Sequence, residues 1–271
     1  MIYDDKELKR IARNIRINII KMTSTARSGH PGPSFSIVEI LTALYFWKMN
    51  IDEEDILSDN RDRLVLSKGH AAPALYATLV EKGVFNENEL NNFRKIGSPF
   101  QGHPDGKNPG IDATTGSLGI GLSQAVGMAL GAKRKSANLS VYAVIGDGEC
   151  DEGQIWEAAL FANHNKLDNL TVFLDHNGDQ FEGRVEDVIS LSPLLEKWQA
   201  FGWDVYQFNG HDFNQIKDFL EKASIHNGKP KIGIAETRKG FGVSFMEGNH
   251  AYHARSLTED ETKKALDELR N

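Results

Sequence analysis

An aspartate stands between two glycines at the end of an apolar run, Val144-Ile145-Gly146-Asp147-Gly148, and Glu149, Asp151 and Glu152 crowd in directly behind it. Carboxylates packed this closely repel one another, and any incoming anion, unless a cation sits among them. A second apolar run, 170–174, ends in Asp175-His176-Asn177. Aspartate and asparagine oxygens are hard ligands that suit Mg2+ or Ca2+, and Mg2+ is usually held by few protein ligands together with phosphate oxygens and water. The flanking glycines let the backbone turn sharply and approach a phosphate closely. The combination points to a divalent metal carrying a diphosphate. Gly-Asp-Gly by itself fits a strand-to-helix turn whose acids cap the helix N-terminus equally well; the asparagine at the matching end of the next run weighs toward the metal.

Histidines supply the second signal. His30, His70 and His103 lie in loops rich in glycine and proline, Ser28-Gly29-His30-Pro31-Gly32, Lys68-Gly69-His70-Ala71 and Gln101-Gly102-His103-Pro104-Asp105. His253 follows a fourth such loop, Lys239-Gly240-Phe241-Gly242. Imidazoles converging from separate loops can bind phosphate oxygens, donate to a carbonyl or move protons. One of them alone would merely satisfy its own loop; the repeated context favours a shared pocket. His164, His176, His211, His226 and His250 lack that context and read as surface or supporting residues. The stretch Thr115-Gly116-Ser117-Leu118-Gly119-Ile120-Gly121 is no dinucleotide fingerprint, since no clear strand precedes it and its spacing is not G-x-G-x-x-G. It is either a plain helix N-terminus or a glycine-lined turn that admits a flat heterocycle beside Leu118.

These loops need a scaffold that brings them to one edge. Leu8, Ile11, Ile15, Ile19 and Met22 recur at helical spacing over residues 5–23, and a second helical pattern covers 35–47. A short strand is predicted at 63–66, a long glycine-rich loop at 97–118 and a helix at 119–135. Beyond it, strands at 141–145, 170–175, 203–207 and 231–236 alternate with helices at 152–165, 193–200 and 212–225, and a last helix covers 258–269. This alternation predicts an α/β fold, a parallel β-sheet with helices on both faces, in a single domain spanning residues 1–271. Strands 141–145 and 170–175, joined by one crossover, become parallel neighbours, which delivers Asp147 and Asn177 to the carboxyl edge where open α/β sheets bind ligands. The net charge of −7 argues against nucleic acid or an anionic membrane as partner. The apolar runs are too short to span a bilayer, and MIYDDKELKR contains no apolar signal core. Cys150 is the only cysteine, which rules out an internal disulfide and fits a reducing cytoplasm.

Taken in order, SGHPG, KGHA, GHPD, TGSLGIG, GDGECDEG…LDHN and KGFG…H resemble the thiamine diphosphate enzymes, and among them the transketolases, over essentially the whole chain. The resemblance implies the thiamine diphosphate-binding fold and the diphosphate-binding half of the family's architecture. It implies that Asp147 and Asn177 bind Mg2+ (or Ca2+) through their side chains and Asp179 through its backbone carbonyl. His70, Gly148 and His253 then contact the diphosphate, with His250 the alternative to His253. Gly116 and Leu118 line the aminopyrimidine, His30 and His103 meet the substrate's carbonyl and hydroxyls, and Glu152 joins the network between the two cofactor sites. In catalytic terms His30, His103 and His253 carry the roles closest to the reacting atoms. The sequence departs from the family pattern at Asp179, usually apolar, and at Ala254, usually glycine.

The implied reaction transfers a two-carbon ketol unit between a ketose phosphate and an aldose phosphate, as in the pentose phosphate pathway. After strand 231–236 there is room for one loop and one helix only, so a separate C-terminal subunit is expected to supply the glutamate beside the pyrimidine. The expected assembly is a cytoplasmic heterotetramer. The competing readings are a deoxyxylulose-phosphate synthase-like or 2-oxoacid dehydrogenase-like subunit, a non-catalytic thiamine diphosphate-binding module, and a Mg2+ hydrolase built on Asp147, Glu149 and Asp151. The pairing of SGHPG with His103 favours ketose chemistry.

Overall fold

The chain is described from a computed structural model covering residues 3–270; the ends of the expected 1–271 span, residues 1–2 and 271, lie outside the described residues. Five strands are found among them: β1 (Arg63–Leu66), β2 (Val141–Gly146), β3 (Leu170–His176), β4 (Asp204–Asn209) and β5 (Lys231–Glu236). They form one sheet in the order β1-β2-β3-β5-β4, parallel throughout. Alternation along the strands divides the core into two layers. Tyr142, Val144 and Phe173 point into a cluster shared with the helices of one face, while Val141, Ala143, Ile145, Val172 and Leu174 point into the other. Burial on both faces is why these strands read as continuous apolar runs rather than alternating ones.

On the first face lie α1 (Asp5–Thr25), α2 (Pro31–Phe35), α3 (Val38–Ala43), α4 (Ala72–Glu81), α9 (Phe213–Ala223) and α10 (Glu259–Arg270); α5 (Ile120–Arg134), α6 (Gly153–His164) and α8 (Leu194–Ala200) cover the second, and the short α7 (Val185–Val188) follows β3. The side chain of Asp4 caps α1 by accepting from the Glu7 N–H at 2.8 Å, and the predicted stripe Leu8, Ile11, Ile15, Ile19 and Met22 is buried. No helix among the described residues is long and apolar enough to cross a membrane.

One expectation changes. The continuous helix expected at 35–47 starts earlier, at Pro31, and is broken into α2, α3 and a π-helical turn, Leu44–Lys48. Proline suits a first helical position. At the break Ser36 turns inward and donates to Pro33 O at 3.0 Å and to Asp175 Oδ2 at 2.7 Å. The small residues of α5 divide between two sides. Gly121, Ala125 and Ala129 are buried within the chain, and a Cβ at Gly121 would lie 2.5 Å from Ser67 Cα. Gly127 and Gly131 face open space.

Candidate active site

Gly146 of β2 pairs with Asp175 of β3, so Asp147 and Asn177 emerge from adjacent strand ends as the crossover argument requires. Asp147 is 2% exposed. Its Oδ1 accepts from the Gly148 N–H at 2.8 Å and its Oδ2 from the Gly178 N–H at 2.7 Å. Burial, then the neighbouring Asp175 carboxylate, push its pKa up to about 6 against the pull of those two donors. A carboxylate held charged at such a cost is relieved by a nearby cation. Asn177 Nδ2 donates to Asp175 Oδ2 at 2.8 Å, which leaves Oδ1 as its acceptor; that oxygen takes the Asp179 N–H at 3.2 Å. The Asp179 carbonyl accepts from Lys239 Nζ at 2.7 Å, so an ammonium stands at this oxygen.

Asp175 is the buried hub of this edge. It takes hydrogen bonds from Ser36, Thr237 and Asn177 and an ion pair from the buried Lys68. Burial alone would raise its pKa, but the Lys68 ammonium outweighs it and holds the carboxyl below its ordinary value.

The loop histidines converge. The His30 and His70 rings lie 5.3 Å apart, His70 and His253 are nearly parallel at 5.4 Å, and His30 and His253 are 5.7 Å apart. Burial is the first cause that lowers their pKa values, to about 4 for His30, about 3 for His253 and well down for His70; nearby Lys68, Lys239 and Arg94 add to it. At neutral pH each is a neutral imidazole, with one donor and one acceptor nitrogen. Lys239 Nζ donates to His253 Nδ1 at 2.9 Å, which places the proton of that ring on Nε2. Nδ1 of His30 is buried without a partner. Lys239 is itself buried beside Lys68, and its pKa is lowered to about 8. His250 heads a short 3-10 turn and is exposed.

His30, Lys68, His70, Asp147, Asn177, Lys239 and His253 line a cavity of about 610 Å3 that also takes in Gly116, Leu118, Gly148, Glu152 and Asp179. A slightly larger hollow, about 690 Å3 between α1 and α10, brings none of the candidate residues together. His103 stands at the edge rather than in the wall. It is exposed, and a Cβ on Gly116 would lie 3.3 Å from its ring. Tyr76 fixes its loop by donating to the His103 carbonyl at 2.9 Å and to Gln101 O at 3.0 Å. Glu152, also exposed, occupies the N-cap position of α6.

The crowded acids divide their labour. Glu149 is a buried staple: its Oε1 accepts from Ser67 and from the Gly119 N–H at 2.8 Å, and its Oε2 accepts from the Gly146 N–H at 3.0 Å. It ties the loops bearing His70 and Leu118 to the end of β2. Among the described residues no group of three His, Cys, Asp or Glu side chains is placed to hold a metal unaided. The one carboxylate, one amide and one main-chain carbonyl found here would hold Mg2+ only together with phosphate oxygens, which is how that ion is usually bound.

Sequence reasoning missed Lys68 and Lys239. Both precede a glycine in a histidine-bearing loop, and that adjacency was the available signal. It also set His211 among the surface or supporting residues. The structure buries its side chain between Glu39 and Phe241.

Comparison with known proteins agrees with this geometry. Residues 7–269 match the family described as transketolase, thiamine diphosphate binding domain. The 6-deoxy-6-sulfo-D-fructose transketolase subunit SqwG of Clostridium sp. (strain MSTE9) is 48% identical over 242 residues, covering 89% of this chain and 88% of that protein. An apulose-4-phosphate transketolase subunit of Actinobacillus succinogenes is 42% identical, covering 99% of this chain and 97% of its own length. Against the crystal structure of Campylobacter jejuni transketolase the TM-score is 0.93 at 32% identity; the match covers 99% of this chain but 43% of that one. The chain likewise spans 42% of human transketolase, to which it is 38% identical. Relatives of similar length are named as subunits and longer relatives are matched over less than half their length; the chain belongs to the transketolase family and carries its thiamine diphosphate-binding domain.

Proposed function

We propose that this chain, as one domain, is the N-terminal subunit of a two-component transketolase. It moves a two-carbon ketol unit from a ketose phosphate to an aldose phosphate in the cytoplasm, within pentose phosphate metabolism, as a heterotetramer with a C-terminal subunit that brings the pyrimidine-side glutamate. The observation that carries this reading is the convergence of Asp147, Asn177 and three neutral imidazoles on one cavity at the carboxyl edge of β2 and β3.

Thiamine diphosphate, when bound, supplies the nucleophilic carbon and the electron sink for the transfer. The chain's own residues bind and orient. Asp147, Asn177 and the Asp179 carbonyl hold Mg2+ (or Ca2+), and the fit rests on the desolvated Asp147 carboxylate and on a carbonyl that already accepts a cation. His70, Gly148 and His253 take the diphosphate, aided by the charges of Lys68 and Lys239. Only glycine at 148 lets Gln180 pack this close to the turn, since a Cβ there would stand 2.9 Å from Gln180 Cβ. Gly116 and Leu118 bound the pyrimidine, and Glu152 faces the neighbouring cofactor site. His30, with an unpartnered buried nitrogen, and His103, at the mouth, address the substrate's carbonyl and hydroxyls.

The test is to assay ketol transfer by the purified chain with thiamine diphosphate and Mg2+, alone and after adding a candidate C-terminal subunit. Activity that appears only on mixing, with a matching increase in mass on a sizing column, supports the reading. Full activity of the lone chain sinks the two-component part of it. Cofactor bound by the assembled complex without any transfer indicates a binding module instead.

A further inference from the structure

We propose that His211, Glu39 and Arg16 form a positioning clamp that seats Lys239 in the candidate site, none of the three touching the cavity themselves. The inference rests on the reading above only in treating Lys239 as part of the diphosphate pocket.

Lys239 lies between two backbone groups that are both gripped from the body of the protein. On one side the Arg238 N–H donates to His211 Nε2 at 2.9 Å. On the other, the Phe241 carbonyl accepts from Arg16 Nε at 2.8 Å. The Phe241 ring also lies flat on the His211 imidazole, centroids 3.7 Å apart and planes 12° apart. Because His211 Nε2 accepts, its proton sits on Nδ1 and is donated to Glu39 Oε2 at 2.9 Å. Glu39 in turn takes Arg16 in a two-pronged pair at 2.7 and 2.9 Å. The side chains of Arg16, Glu39 and His211 are 6%, 6% and 7% exposed.

A buried ion pair of this kind contributes little net stability compared with apolar residues of the same size. What it supplies is direction. Two main-chain groups flanking one lysine are fixed, and that lysine points the other way, to the Asp179 carbonyl and His253 Nδ1. Gly240, between the two grips, adds an N–H bond to Gly32 O at 3.2 Å, which ties the same segment to the His30 loop. A free lysine side chain loses rotamer freedom when it is ordered. Fixing its backbone beforehand lowers the further ordering needed to aim the ammonium.

The test uses conservative and non-conservative replacements of His211 in the full chain. In His211→Gln the amide can still donate to Glu39 and accept from Arg238; in His211→Leu it can do neither. Amide hydrogen exchange, read on peptides covering 238–250, should speed up by about tenfold in the Leu variant, as for the loss of one buried hydrogen bond, and stay within about twofold of wild type in the Gln variant. Peptides from β2 and β3 should be unchanged. If the Leu variant fails to fold, His211→Asn, too short to span both partners, replaces it with the same expectation. In the complex with its C-terminal partner, the non-conservative variant should bind thiamine diphosphate with Mg2+ about tenfold more weakly while turnover at saturating cofactor falls less than about twofold. Unchanged exchange at 238–250, acceleration spread evenly over the chain, or no rescue by Gln would each overturn the clamp. The exchange readout needs neither cofactor nor activity, so it stands apart from the functional reading.

Discussion

At the scale of single residues, the proposed roles separate groups that hold from groups that react. Asp147→Ala and Asn177→Ala are expected to abolish Mg2+-dependent cofactor binding, because a metal held by so few protein ligands cannot spare one; calorimetry with cofactor and Mg2+ on the assembled enzyme checks this, and undiminished affinity in either variant refutes the metal assignment. His103 and His70 should behave oppositely. His103→Ala, at the cavity mouth, should lower turnover roughly 10²–10⁴-fold with cofactor affinity nearly kept, whereas His70→Ala should mainly weaken cofactor binding. Loss of cofactor in the first and not in the second would mean the two roles are swapped. Asp147, Asn177, His30, His70 and His103 are legible in the sequence because each sits next to glycine at the end of an apolar run or inside a loop, where a side chain has little packing role, and His253 because it follows the glycine loop Lys239-Gly240-Phe241-Gly242. Lys68, Lys239 and Asp175 are not, because their importance comes from one another: a buried ion pair and a shared carbonyl join residues from separate loops.

At the scale of elements, the strands are the most legible part. β1 and β5 fall on the predicted 63–66 and 231–236, since continuous apolar runs bounded by polar residues have few other uses. The first-face helix is less legible: its periodicity continues through the point where Ser36 leaves the helix to reach Asp175, and a hydrogen bond to a residue 139 positions away leaves no trace in local spacing. Glu149 is the same kind of case, an acid that looks like a ligand and serves as a joint. Removing its three hydrogen bonds in Glu149→Ala should cost about 3 kcal/mol, roughly 10 °C in Tm for a chain of this size. Thermal unfolding measures it. A loss below about 1 kcal/mol would show that Ser67 and the Gly119 and Gly146 amides find other partners.

At the scale of the whole molecule, burial of ionisable groups sets the acid limit. Burial raises the Glu39 pKa, but Arg16 and the His211 hydrogen bond outweigh it and hold the value at about 2. Its contribution is therefore present above the ordinary value of 4.5 and is lost as pH falls toward 2. His253, lowered from 6.5 to about 3, acts in the same direction: the unfolded chain takes up its proton first, so stability falls as pH drops below 6.5. The denaturation midpoint should decline steadily from pH 6.5 to 4, and less steeply in His253→Gln, by on the order of 2 kcal/mol at pH 4. An identical slope in the variant would mean that His253 protonates as readily in the folded chain as in the unfolded one.

The cavity mouth has one more consequence, for the behaviour of the chain in bulk solution. Leu118, Phe181, Val188 and Ile189 line it, and they are 37%, 70%, 41% and 56% exposed. A protein with such an apolar rim and a net charge of −7 is kept dispersed largely by mutual repulsion. Salt shortens the range of that repulsion, to roughly 10 Å at 0.1 M and 3 Å at 1 M. Light scattering from the isolated chain should therefore rise with ionic strength. Phe181→Ser should blunt the rise, and so should a C-terminal subunit that covers the rim. If the chain works with a separate C-terminal subunit as proposed, a cell making the two in unequal amounts would face a colloidal problem before a catalytic one, which gives a physical reason to keep their synthesis matched.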